Sequence, residues 1–235
     1  MDYGVLAQEI TSKLSLASPP IAIAFVETAP AGVPTFEQAV PSACTFWRRA
    51  EAGVFYASAE QHFNCPVGAM VMGFDMPEAV QQQLMGFVEK MCGCGYLSAE
   101  EPSKIPTVTK GKSGIVYGPL KDFPMEPDVV LMWLTPRQAM LVGETVGATH
   151  WTEAAPSGVL GRPGCAALPI ALEQDHATFS LGCMGMRTFT DVSEDRLLVA
   201  LPGKKLQEFN GALASNMEAN EEMRAFYEGH KAQFA

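Results

Sequence analysis

Three short runs made almost wholly of apolar residues, "IAIAFV" at 21–26, "VVLMWL" at 129–134 and "LLVAL" at 197–201, constrain this chain more than any other feature. Each is too short for a buried helix, and each is cut off by turn chemistry: "TAPAGVP" after the first, Thr135 and Pro136 after the second, Pro202 and Gly203 after the third. Runs of this length bounded by Pro and Gly are buried strands. Further strands are expected at "VFYASA" (54–59), "GIVYGP" (114–119) and "HATFSLGC" (176–183).

Helical periodicity fills much of the space between them. Val5, Leu6, Ile10 and Leu14 share one face of a helix from Tyr3 to Leu16, which must stop before Pro19 and Pro20. A helix surrounds Cys44 to Gly53. Another opens at Pro77 and carries the stripe Val80, Leu84, Phe87, Val88 and Met91. Thr135 and Pro136 supply the cap and first-turn proline of a helix from Arg137 to about Val146. Two helices, Lys204 to Ala214 and Glu218 to Ala232, complete the set. This alternation predicts an α/β or α+β fold, a mixed sheet with flanking helices. A strand, a helix and a glycine-flanked cysteine occur in that order twice, so the chain is read as one domain over 1–235 or as two weakly similar, intimately packed halves, about 1–118 and 119–235.

With 235 residues, 48% hydrophobic and 18% charged, the chain can bury a sizeable core. Its formal charge of -10 and the lack of any Lys/Arg cluster exclude nucleic acid and anionic membrane as partners, because both repel an acidic surface. The start of the chain carries Asp2 and Glu9 rather than a basic, then apolar, leader, and no apolar stretch approaches the ~20 residues a bilayer requires. A cytoplasmic location is expected, where the six cysteines stay reduced.

Four of those cysteines share a setting. Cys44 follows "PSA", Cys65 precedes "PVG", Cys165 follows "RPG" and Cys183 sits in "GCMG". Thiols at element ends beside small residues are how iron–sulfur ligands are commonly presented, since a cluster needs thiolates and close backbone approach. Their spacing has nothing of the short Cys-x-x-Cys runs of ferredoxins and zinc ribbons, so the fold must assemble any such site. The competing reading is inert packing, because free cysteine is among the most buried residue types. Gly182 and Gly185 are expected to turn the backbone sharply after the strand so that Cys183 faces a pocket, with Arg187 balancing an anionic cluster or substrate. Arg187, like Arg48 and Arg49 after Cys44, has an ordinary surface ion pair as its alternative role.

Other thiol and imidazole chemistry is also on offer. Cys92 and Cys94 form the tightest pair but follow a helix rather than opening one, so they lack the placement that lowers a thiol pKa. His62, three residues before Cys65, could share a metal with it or simply satisfy buried polar groups. Met70, Met72, Met184, Met186, Phe46 and Trp47 near the cysteines suit either a soft apolar pocket or the core. No Walker loop, dinucleotide fingerprint, nucleophile elbow or His-Glu-x-x-His motif is present.

The ordered blocks "SPPIAIAF", "CTFWRRAEAGVFY", "NCPVGAMVMGF", "EPDVVLMWLTPRQAM" and "SLGCMGMR" followed by "EDRLLVALPG" resemble the bacterial and archaeal family catalogued as domain of unknown function 169. The resemblance covers nearly the whole chain. It implies a cytoplasmic prokaryotic protein, with an anaerobe-rich distribution that favours oxygen-sensitive cofactors, and it supplies no catalytic residue.

Three functions are therefore expected in competition. The first is an Fe–S protein, of the 4Fe-4S type, with Cys44, Cys65, Cys165 and Cys183 as ligands and Gly182, Gly185 and Arg187 around the cluster, acting in electron transfer, cofactor handling or small-molecule redox metabolism. The second is a module with a Met/aromatic-lined pocket for an apolar or tetrapyrrole ligand, with His62 as axial ligand. The third is a thiol redox protein using Cys92 and Cys94. A small molecule, a redox partner protein or a second copy of the chain would be the partner.

Overall fold

The computed structural model describes residues 1–147 and 159–234. In chain order the elements are α1 (Tyr3–Leu14), β1 (Ile21–Val26), α2 (Ala43–Arg49), β2 (Phe55–Ser58), α3 (Pro66–Val71), α4 (Glu78–Gly93), β3 (Gly114–Pro119), β4 (Val129–Leu134), α5 (Pro136–Thr145), β5 (Val159–Leu160), α6 (Ala167–Glu173), β6 (Thr178–Ser180), α7 (Met184–Thr190), β7 (Leu197–Pro202) and α8 (Leu206–Lys231), with single 3₁₀ turns between several of them. The strands form one sheet in the order β2-β3-β1-β4-β7-β6-β5. Every pairing is antiparallel except the short β5–β6 contact, which is parallel, so the sheet is mixed and the fold is α+β.

The expected apolar runs occupy the middle of this sheet because both of their faces are covered. Ile21, Ile23 and Phe25 of β1, with Val129, Leu131 and Trp133 of β4, pack under α2, α3, α6 and α7. The alternate residues, Ala22 and Ala24 of β1 and Val130, Met132 and Leu134 of β4, pack against α1, α5 and α8. The period-2 alternation of a strand thus feeds two separate cores, and no polar residue is tolerated on either side. The strands before residue 120 lie in the block β2-β3-β1, those after it in the block β4-β7-β6-β5, and the β1–β4 pairing joins the two.

Local signals account for most boundaries. α1 is capped by Asp2, whose side chain accepts the Val5 N–H, and ends at Ser15 in the left-handed region. α5 carries a full capping box, Thr135 with Gln138. At the C-terminal end the two expected helices are one, Leu206–Lys231. Nothing in "SNM" at 215–217 breaks a helix, and the Asn216 amide donates to the Leu141 carbonyl (3.0 Å) and to Thr145 Oγ1 (3.2 Å), tying the middle of α8 to α5. Among the described residues no helix is long and apolar enough to cross a membrane.

Candidate functional site

The sequence dictates where the four cysteines sit before it dictates what they face. Ser42 caps α2 by accepting the Cys44 N–H, which fixes Cys44 as the second residue of that helix. Pro66 can occupy only the first turn of α3, which makes Cys65 its N-cap. Cys165 lies in the single turn Gly164–Ala166 that leads into α6. Cys183 caps α7, with the Met186 N–H donating to its Sγ at 3.4 Å.

All four face one cavity of about 270 Å³. Cys44 and Cys165 are 5% and 4% exposed and form its floor, while Cys65 and Cys183 are half-buried. The block before residue 120 and the block after it each contribute two thiols. The rest of the wall is largely apolar: Phe87 and Met91 of α4, Leu97, Ile105, and Met184, Met186 and Phe189 of α7. Burial, and after it the nearness of the other cysteines, pushes the Cys44 and Cys165 thiols well above their ordinary range. Cys44 and Cys165 are thereby held as neutral thiols unless a cation displaces their protons.

Gly68 is the small residue this arrangement requires. A Cβ there would lie 2.8 Å from that of Ala43 and 3.0 Å from Cys65 Sγ, so a side chain would push α3 off α2 and disturb the thiol. Gly182 (φ +80°) makes the expected turn after β6, but the space it leaves is taken by Met186 rather than by the cavity. Gly185 corrects the expectation. It lies within α7, not in a turn, its φ is not positive, and a Cβ on it would be 3.9 Å from Cys183 Sγ, an ordinary contact, although it does line the cavity.

Arg187 does not face the thiols. Its guanidinium donates to the Leu181 carbonyl (3.0 and 2.6 Å) and the Arg196 carbonyl (3.0 Å), clamping the strand end to α7. The cation that lines the cavity is Arg162, three residues before Cys165, stacked 4.6 Å above the Tyr96 ring and paired with Glu101 at 3.2 Å. Arg48 pairs with Glu51 instead. Phe46, Trp47 and Met72 are core residues behind the site, and of the six soft residues singled out only Met184 and Met186 reach the cavity. Phe87, Met91, Tyr96 and Leu97 were missed as wall residues. The signal for Phe87 and Met91 is the stripe of α4, a helix with a regular apolar face and not one buried residue, whereas Tyr96 and Leu97 lie just past its end.

His62 is not available as a ligand. Its Nδ1–H donates to the Ser58 carbonyl (2.7 Å) and its Nε2 accepts from the Tyr117 hydroxyl (2.9 Å), inside a nest of rings that includes Phe46 and Phe74. This removes it both as a metal partner of Cys65 and as an axial ligand. Burial lowers its pKa to about 4. Below pH 6.5 the unfolded chain takes up a proton that the folded chain refuses until about pH 4, so this group destabilises the fold progressively as pH falls through that window, by up to about 3 kcal/mol. Urea unfolding at pH 7, 6 and 5 should show a steeper loss for the wild type than for His62→Gln, which cannot take up the proton. Parallel profiles would contradict the neutral, buried assignment. Cys92 and Cys94 lie at the end of α4, half-buried and exposed, and neither lines the cavity.

An α+β domain with a single sheet and a four-thiol pocket on one helical layer is the class that this fold and site define. The family model of domain of unknown function 169, described as uncharacterised ArCR, matches residues 9–210, and the chain belongs to that family. No curated protein and no solved structure matches the chain.

Proposed function

We propose that this protein binds an Fe–S cluster of the 4Fe-4S type through Cys44, Cys65, Cys165 and Cys183. One observation carries the reading: thiols up to 139 residues apart line a single, otherwise largely apolar cavity in which, among the described residues, no histidine or carboxylate competes as a ligand. The donor set is the soft thiolate set that such clusters take. Among the described residues no three His, Cys, Asp or Glu side chains group closely enough to grip a single metal ion, and a polynuclear cluster, whose ligands stand around a larger body, asks for a wider set. The Met186 N–H at Cys183 Sγ is a hydrogen bond of the kind that tunes a cluster thiolate.

When bound, the cluster would supply one-electron transfer. The chain's own contribution is a dry wall of Met and Phe side chains, which limits water at the sulfurs, and Arg162, the one cation of the lining among the described residues. The role is electron transfer or cofactor handling in the cytoplasm, where thiols remain reduced, with a small molecule or a redox protein as partner and neither nucleic acid nor membrane. Anaerobic purification, an absorption spectrum, and iron and acid-labile sulfide analysis test it. A brown protein with about four irons and four sulfides per chain is the expected result; a colourless protein that takes up neither on reconstitution overturns it.

A further inference from the structure

Beside the thiols the cavity has an exposed wall: Phe87, Met184 and Phe189 are 52%, 68% and 43% exposed, an apolar rim that no other described part of the chain covers. The charge around it runs against the rest of the molecule. The chain has 26 acidic side chains and a net charge of -10, yet among the described residues no Asp or Glu lines this cavity, whereas Arg162 does. Glu101, its ion-pair partner, meets one of its amino groups and is not itself a wall residue. Tyr96 supports the guanidinium from below with its ring, while its hydroxyl accepts the Met184 N–H, so the stacking partner is itself fixed.

We infer that the mouth of the thiol pocket binds a small apolar molecule carrying one anionic group, of the class of short alkyl or aryl carboxylates, with the anion on Arg162 and the apolar body against Phe87, Met184 and Phe189. An apolar body alone would gain from burial at the rim. A guanidinium beside it adds a charge-assisted, directional bond that selects an anion over a neutral or cationic molecule of the same shape. Glu101 competes with the ligand for Arg162, so the site carries its own opponent. That such a molecule would lie against a cluster rests on the function proposed above; its recognition by Arg162 and the rim does not.

Anaerobic calorimetric titration of octanoate, octanol and octylammonium into metal-free and iron-loaded protein tests this. Octanoate should bind one to one and about tenfold or more tighter than the other two. Arg162→Gln should bring octanoate down to the level of octanol. Glu101→Gln should tighten it several-fold, a gain that a purely structural role for the ion pair would not produce. Met184→Asp, at an exposed position, should abolish octanoate binding without changing thermal unfolding. Equal binding of the three probes, an Arg162→Gln affinity equal to the wild type, or no octanoate binding in either form overturns the inference. Octanoate selectivity in a protein that cannot be loaded with iron would leave it standing and remove the cluster; full iron loading without that selectivity would do the reverse.

Discussion

Replacing Cys165 by serine should leave the protein, reconstituted anaerobically, with about a tenth or less of the wild-type iron and without its visible absorbance. Cys44→Ser should do the same, and Cys65→Ser and Cys183→Ser should lose most of the iron as well. Cys92→Ser and Cys94→Ser should match the wild type, since both lie outside the cavity. The fold should survive each change. A hydroxyl in place of the buried thiol at 44 or 165 costs only about 1–3 kcal/mol, and at the half-buried positions 65 and 183 less. The measurement is iron per folded chain alongside thermal unfolding. Wild-type iron in all four pocket variants, or iron lost only from the 92 and 94 variants, would mean that the wrong thiols have been assigned.

The second large effect is expected at Phe46, which never touches the cavity. Fully buried on α2, two residues after Cys44, it packs against Phe36 (5.4 Å between ring centroids), Phe55 (6.0 Å), His62 (4.7 Å) and Tyr117 (5.4 Å). Phe46→Ala removes the ring that all four share and should cost about 3–5 kcal/mol in urea unfolding, with Phe46→Leu costing clearly less. Because α2 loses its anchor on the sheet, Cys44 should also react faster with a thiol reagent in the metal-free Phe46→Ala protein. A loss below about 1 kcal/mol, outside the range of large-to-small core changes, would show that the ring cluster does not hold the floor of the pocket in place.

The central strands were legible because burial on both faces leaves an uninterrupted apolar run that little else produces, and α1 and α5 because Asp2, Thr135 and the proline positions act within a few residues. The four pocket cysteines were legible from their small neighbours and not from spacing, since the contact that gathers them depends on how β1 meets β4, more than 100 residues along the chain. α3 and α7 were hidden for a related reason. Each is six or seven residues long, too short to show a period, and each starts at a cysteine that looked like the end of something else. The choice between Arg187 and Arg162 was beyond local reading. Both follow or precede a cysteine closely, and only the turn of α7 sends the Arg187 guanidinium back to the Leu181 carbonyl.

The strand order has a consequence for how the chain comes off the ribosome. Neither β1 nor β2 pairs with the other along a strand; both wait for β3, and β1 also waits for β4. β1 is complete at residue 26 and β3 begins at residue 114, so at ordinary synthesis rates of about 5–20 residues per second the apolar "IAIAFV" segment stays without a neighbour for roughly 4–18 s. Its flanking turn residues interrupt the segment but add no charge within it. Slowing translation between residues 26 and 114 should therefore cost soluble yield far more than slowing it after residue 134, when both neighbours of β1 have been made.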